Sequence, residues 1–244
     1  MKKYLLIPMI FLAFGSIQAA DSKSSWSYSG DTGPENWAKL SPKFADCAGR
    51  NQSPIDLKGF VEAKLPPIKI NFQPGQQVIN NGHTIKVNYA GGGGSIVVDG
   101  KTFRLLQFHF HAPSENHIDG KSFAMEAHLV HASDDGELAV IAVMFDKGEE
   151  NFELGKIWNF MPRKIGEKAP LARAAKAYNL LPEQRNYYRF NGSLTTPPCT
   201  EGVRWLVMKM PVTASAAQIE TFEKVMHHPN NRPIQPLNAR TVLK

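Results

Sequence analysis

A mainly β fold with short peripheral helices (α+β) is the class this sequence predicts, and three observations predict it. Alternating and β-branched runs fill most of residues 60–145, turn dipeptides of the Asn-Gly and Asp-Gly kind separate them, and helical periodicity is confined to a few short stretches.

The chain opens on Lys2 and Lys3, an apolar run from Tyr4 to Phe14, and a small-residue stretch from Gly15 to Ala20. That is the pattern of a secretory leader. Its apolar core is well short of the roughly 20 residues that a spanning helix needs. Residues 1–19 are therefore read as a signal peptide cleaved after Ala19 or Ala20, and the protein as exported, periplasmic or secreted. No second long apolar run follows, so no membrane span is expected in the mature protein. Residues 20–244 suffice for one large domain. The run Gly91 to Gly94 is too short for a linker, and no internal repeat is visible.

The strand-like runs are 68–72, 84–89, 95–98, 102–111, 124–131 and 138–145. Asn81-Gly82, Asp99-Gly100, Asp119-Gly120 and Asp135-Gly136 mark hairpins or tight connections between them. Helices are predicted over 151–160, 171–178 and 214–226, the last capped by Thr213 or Ser215. Strands carry the core, and the Pro-, Asn- and Gly-rich ends are expected to wrap around it.

Without Lys2 and Lys3 the chain carries 26 basic and 22 acidic residues. That excess is small and scattered, whereas a nucleic-acid binder shows a clustered basic stripe. Cys47 and Cys199, an even pair in an exported chain, read first as a disulfide closing a very long loop. A pair of metal thiolates is the alternative, disfavoured by their isolation from each other and from the histidines.

The chemistry concentrates in two neighbouring strands. In Arg104-Leu-Leu-Gln-Phe-His-Phe-His111 the period of two puts Gln107, His109 and His111 on one face and Phe108 and Phe110 on the other. In Met125-Glu-Ala-His-Leu-Val-His131 the same parity puts Glu126 beside His128, and an antiparallel return brings His128 to the pair. Three neutral imidazoles on a stiff sheet leave a fourth tetrahedral position for water, the pattern of a catalytic zinc site. Imidazole ligation suits zinc, with copper, nickel and iron as alternatives. Gln107 and Glu126, each two residues from a ligand on the ligand face, are candidates to orient the imidazoles, or else ordinary strand residues. His131 falls on the opposite face. His227 and His228 read as a helix C-terminus before Pro229. His109-x-His111-x-x-x-Glu115 also fits the first half of a cupin metal motif, with Glu115 as a ligand, but the second half of that motif is missing around His128.

The segments Gly33-Pro-Glu-Asn-Trp37, Gln52-Ser-Pro54, Asn80-Asn-Gly-His83, Gln107-Phe-His-Phe-His111, Glu126-Ala-His-Leu-Val-His131, Gly192-Ser-Leu-Thr-Thr-Pro-Pro198 and Asn231-Arg-Pro-Ile-Gln-Pro236 stand in this order along the chain. Together they resemble the alpha-class carbonic anhydrases, from about Trp26 to Arg240, essentially the whole mature chain. The resemblance implies a central, twisted, mostly antiparallel sheet of about ten strands, with Zn2+ at the base of a conical cleft. It implies His109, His111 and His128 as ligands, backed by Gln107, Glu126 and the Asn230 backbone. It further implies reversible hydration of CO2 to bicarbonate by zinc-bound hydroxide, oriented through Thr195 and an ionised Glu115.

Val130, Val140, Leu194, Thr195, Thr196, Val203 and Trp205 match the wall that holds the substrate. His83 matches the proton shuttle, with Tyr28 and Asn81 ordering water beside it. Lys86 replaces a neutral polar side chain common in the family. Cys47 and Cys199 stand where exported bacterial members carry a disulfide, at the end of the Thr195 loop. The small-molecule pair CO2 and bicarbonate is the expected partner, as monomer or homodimer. A catalytically silent binding protein of the same family, or a zinc scavenger, is the alternative.

Overall fold

The computed structural model of the protein describes residues 25–89 and 92–244. The expected leader, residues 1–19, lies outside them. Thirteen strands follow in chain order: β1 (Asp56–Leu57), β2 (Lys69–Phe72), β3 (Gly75–Asn80), β4 (Ile85–Asn88), β5 (Gly94–Val98), β6 (Lys101–His111), β7 (His117–Ile118), β8 (Met125–Ala132), β9 (Leu138–Lys147), β10 (Lys168–Ala175), β11 (Tyr187–Ser193), β12 (Glu201–Met208) and β13 (Val212–Ala214). Among the described residues they form one 11-stranded sheet and a two-stranded parallel pair of β1 with β7.

The large sheet runs β10-β3-β4-β6-β8-β9-β12-β11. Long β6 also takes β5 on its open flank, with β2 beyond it, and β13 continues alongside β9. Pairing is antiparallel except where β9 meets β12 and β13. The sheet expected from the sequence is therefore present, and every predicted strand lies in it.

Turn chemistry behaves as read. Asp99-Gly100 joins β5 to β6 with φ of 51° and 77°, and Asp119-Gly120 turns with φ of 48° and 79°. Left-handed backbone at both central positions is what a two-residue hairpin turn requires.

Both faces of the sheet are apolar. After the short helix α1 (Trp37–Leu40) come α2 (Phe152–Trp158) and α3 (Ala216–Met226), and on one face Phe108, Phe110, Leu129, Ile141, Val143 and Leu206 pack with residues of α2 and α3. On the other, Val130, Val140, Ala142, Val203, Trp205 and Phe190 form a second cluster. His109 and His128 lie on this second face.

Three features differ from the sequence-based expectation. The helix expected at 171–178 is instead the strand β10 as far as Ala175, antiparallel to β3, and only its end enters a short 3-10 helix, Ala177–Leu180. Its Ala-rich composition favours helix, but that preference is worth only tenths of a kcal/mol per residue; the edge of β3 offers a row of backbone partners and burial for Leu171 and Ala175. Pro170, which lacks an N–H, fits because β10 is an edge strand.

Secondly, residues beyond 145 contribute more than wrapping: β11 and β12 extend the core sheet, and the alternation Val203, Trp205, Val207 was the legible signal for β12. Thirdly, a register shift between Leu105 and Gln107 inserts Leu106 as an unpaired residue in β6. This bulge switches the inward parity from Phe103 and Leu105 to Phe108 and Phe110. Without it His109 would face the core.

The two other helices form as expected. Asn151 caps α2 by accepting from the N–H groups of Glu153 and Leu154, and Ser215 with Gln218 closes a capping box on α3. His227 ends α3 in a left-handed conformation, φ 63°. Among the described residues no helix is long and apolar enough to cross a membrane.

Candidate metal centre

His109 lies directly opposite His128 in the register of β6 and β8, and His111 opposite Glu126. Residues so paired share a face with Cβ atoms about 5 Å apart. The three imidazole rings accordingly converge, with centroids 4.9, 5.3 and 4.6 Å apart, and one nitrogen from each lies within 4.8 Å of the others.

Each ring is fixed through its other nitrogen. His109 Nδ1 lies 2.9 Å from Gln107 Oε1, His111 Nδ1 lies 2.6 Å from the carbonyl of Asn230, and His128 Nε2 lies 2.8 Å from Glu126 Oε1. These acceptors put the proton on those nitrogens and leave His109 Nε2, His111 Nε2 and His128 Nδ1 with lone pairs turned toward a common point. Burial pushes all three imidazoles below their ordinary pKa, so they are neutral donors. His111 Nε2 is a buried nitrogen with no hydrogen-bond partner. An orphaned buried acceptor among three neutral imidazoles is the signature of a metal site, and the donor set suits zinc.

The carboxylate behind His128 is itself held. Glu126 Oε2 accepts from the N–H groups of Glu115 and Asn116 at 2.7 and 2.8 Å, and its Oε1 from Asn116 Nδ2 at 2.7 Å. Asn230 ties two segments together: its Nδ2 donates to the carbonyls of His83 and Phe110, its Oδ1 accepts from Ala112 N–H, and its own carbonyl receives His111.

Glu115 is fully buried. Its Oε1 accepts from the Arg232 N–H at 2.8 Å, and its Oε2 stands 3.4 Å from His111 Nε2 and 3.8 Å from His128 Nδ1. Burial pushes this carboxyl well above its ordinary range, while the nearby Thr195 hydroxyl and the Arg232 N–H favour its charged form. Oε2 has no geometrically satisfied partner of its own.

The Thr195 loop is anchored on both sides. Ser193 and Ser53 exchange hydrogen bonds of 2.9 and 3.1 Å, and Trp205 Nε1 donates to the Ser193 carbonyl. A Cβ on Gly192 would fall 2.1 Å from Ser53 Oγ, so only glycine allows this approach. Thr196 is half-buried in the turn closed by Cys199 N–H donating to its carbonyl. Cys47 and Cys199 form a disulfide across a separation of 152 residues. The peptide bonds before Pro54, Pro113 and Pro198 are cis.

Val130, Val140, Val203 and Trp205 are buried together beside the histidines, with Leu194 packed against them; His128 meets the Trp205 ring edge-on at 4.9 Å. His83 is half-buried, stacked on Trp26 at 3.7 Å, with Tyr28 edge-on at 6.5 Å. Burial, then His228, pulls its imidazole below 6.5. Asn81 Oδ1 receives the N–H groups of His83 and Thr84. Tyr28 keeps its phenol proton, since burial and the Glu115 charge both raise it. Lys86 stands opposite His109 on β4. His131 is buried on the other face, stacked with Phe72 at 5.5 Å.

Two residues of this site escaped sequence reasoning. Buried Arg232 donates to Gln52 Oε1 and the carbonyls of Ser53 and Cys47. Asn116 clamps Glu126. Nothing in the local sequence distinguishes either from a solvated polar residue.

The family described as eukaryotic-type carbonic anhydrase matches residues 32–244. A carbonic anhydrase of Pectobacterium carotovorum is 50% identical over 245 residues, covering 100% of both chains. That of Neisseria gonorrhoeae is 47% identical over 98% of this chain and 96% of its own. The solved alpha-carbonic anhydrase of Thermovibrio ammonificans, in complex with the inhibitor sulfanilamide, superposes with a TM-score of 0.89 at 52% identity, over 91% of this chain and 99% of the other. With an 11-stranded sheet that assembles three neutral imidazoles, and a match over nearly its whole length, the chain belongs to the alpha-class carbonic anhydrase family.

Proposed function

We propose that this chain hydrates CO2 reversibly to bicarbonate and a proton, with zinc held by His109 Nε2, His111 Nε2 and His128 Nδ1. The observation that carries the reading is the inward convergence of these three nitrogens, each set by a partner on the far side of its ring. Zinc bound there would supply Lewis acidity, lowering the pKa of a water molecule to about 7, a magnitude established for carbonic anhydrase itself.

The protein's own groups do the rest. Thr195, by donating its hydroxyl proton to Glu115, keeps its lone pairs for a protonated oxygen nucleophile and turns away anything without a proton to give. The charged form of Glu115 that this needs is favoured by Arg232 N–H, and further by a neighbouring divalent cation. Val130, Val140, Leu194, Val203 and Trp205 hold a gas that no hydrogen bond can orient, and Thr196 forms the rim of that wall.

His83, at the mouth with Tyr28 and Asn81, takes the released proton to solvent; an imidazole titrating somewhat below 6.5 gives it up readily to buffer. The disulfide fits an oxidising compartment. With the sequence pattern of residues 1–19 it supports export to the periplasm as one domain spanning residues 20–244.

Stopped-flow CO2 hydration by the zinc-loaded and metal-free protein tests the reading. Hydration that requires zinc is expected. No hydration above buffer at full zinc occupancy would leave a silent family member or a zinc scavenger.

A further inference from the structure

Residues paired across adjacent strands share a face, and on the functional face one such row runs outward from the metal centre. His128 on β8 faces His109 on β6, His109 faces Lys86 on β4, Lys86 faces Ile79 on β3, and Ile79 faces Lys168 on β10. Directly opposed Cβ atoms are about 5 Å apart and strands about 4.8 Å. Lys86 therefore rises beside His109, and Lys168 stands two strands farther out, at the exposed edge.

Lys86 is half-buried, and among the described residues its side chain has no ion pair or hydrogen bond. The charged group acting most directly on it is another cation, Lys168. The two carboxylates of the site are engaged elsewhere: Glu126 by Asn116 and the Glu115 N–H, and Glu115 by the Arg232 N–H beside Thr195. A cation held partly out of water next to the reacting position, with no counter-ion from the chain, attracts a small anion at that position.

We propose that Lys86 is an anion-docking residue of the cleft, with Lys168 as its outer extension, and that it holds bicarbonate in preference to CO2. This rests on the CO2–bicarbonate reading of the site. Of the two carbon species only bicarbonate carries charge, so the lysine acts on one side of the reaction. It lowers the KM for bicarbonate and strengthens competing monovalent anions, and it leaves the encounter with neutral CO2 to the apolar wall.

Calorimetric titration of the zinc-loaded protein with thiocyanate, together with the bicarbonate KM in dehydration assays, tests this. Lys86→Gln is expected to weaken both by about three- to tenfold, the scale of one unit charge several ångströms away through partly aqueous surroundings. Lys86→Arg keeps the parent values, and raised ionic strength narrows the gap between parent and Gln variant. Lys168→Gln gives a smaller loss. Thiocyanate and bicarbonate affinities of Lys86→Gln within twofold of the parent overturn the proposal. Failure of the parent to hydrate CO2 overturns the reading of the site instead, and the thiocyanate titration still judges Lys86 by itself.

Discussion

The backbone N–H of Arg232 donates to Oε1 of Glu115 at 2.8 Å, while the Arg232 side chain crosses to the opposite loops. One residue thus places the acid behind the metal centre and ties it to the segment 47–53. Arg232 as a whole is 2% exposed, and its guanidinium lies over Trp37 and keeps its charge, with a pKa lowered by burial to about 10.

Arg232→Met removes donors from Gln52 Oε1 and the carbonyls of Ser53 and Cys47, leaving buried acceptors unsatisfied. A loss of about 3 kcal/mol or more is expected in urea unfolding. A loss below about 1 kcal/mol would mean that these acceptors find other partners.

Glu126→Gln keeps the shape but places an amide N–H₂ among groups that themselves donate. Partners behind a metal-bound imidazole typically contribute about 10- to 100-fold in metal affinity. Zinc dissociation constants from chelator competition should rise by that factor, and His128→Ala should abolish binding.

Removing the Cys47–Cys199 bridge frees a loop of 152 residues in the unfolded chain. Chain-entropy arguments put the stability lost at up to about 5 kcal/mol. Because Cys199 ends the Thr195 loop, activity should fall with stability. Unchanged thermal stability and activity after full reduction would refute this.

Acid stability reports on His131, whose pKa burial lowers to about 4. An unfolded imidazole titrates near 6.5, so below that pH the unfolded chain takes up a proton that the fold refuses. Stability is unaffected above about 6.5 and falls toward pH 4, by on the order of 3 kcal/mol from this group alone. His131→Asn should flatten the slope of unfolding free energy against pH across that window; an unchanged slope assigns the loss to other groups.

His83→Ala should lower turnover in weak buffer by about tenfold or more, and at most by the roughly 10²–10⁴-fold that positioned proton transfer contributes. Added imidazole should restore it. Parent-level turnover in weak buffer would show a second proton route, for which His228, near Tyr28 at 5.9 Å, is the candidate.

Much of the site was legible because its elements are local. Period-two parity put Gln107, His109 and His111 on one face and Glu126 with His128 on another, and pairing of neighbouring strands joined them. The same parity excluded His131. The doubled Leu105-Leu106 marks the slip that the bulge makes, although parity counted only from Gln107 onward did not need it.

What the sequence by itself determined is which side chains share a face and which strands turn back on their neighbours, since alternation and turn dipeptides act over a few residues. Only the tertiary structure decided what else stands behind and beside them: Arg232 on Glu115, β10 as a strand, and Lys86 next to His109. Those contacts join residues far apart in the chain, and they are selected by the need to satisfy buried polar groups and close sheet edges, a condition on the whole fold that no local pattern carries.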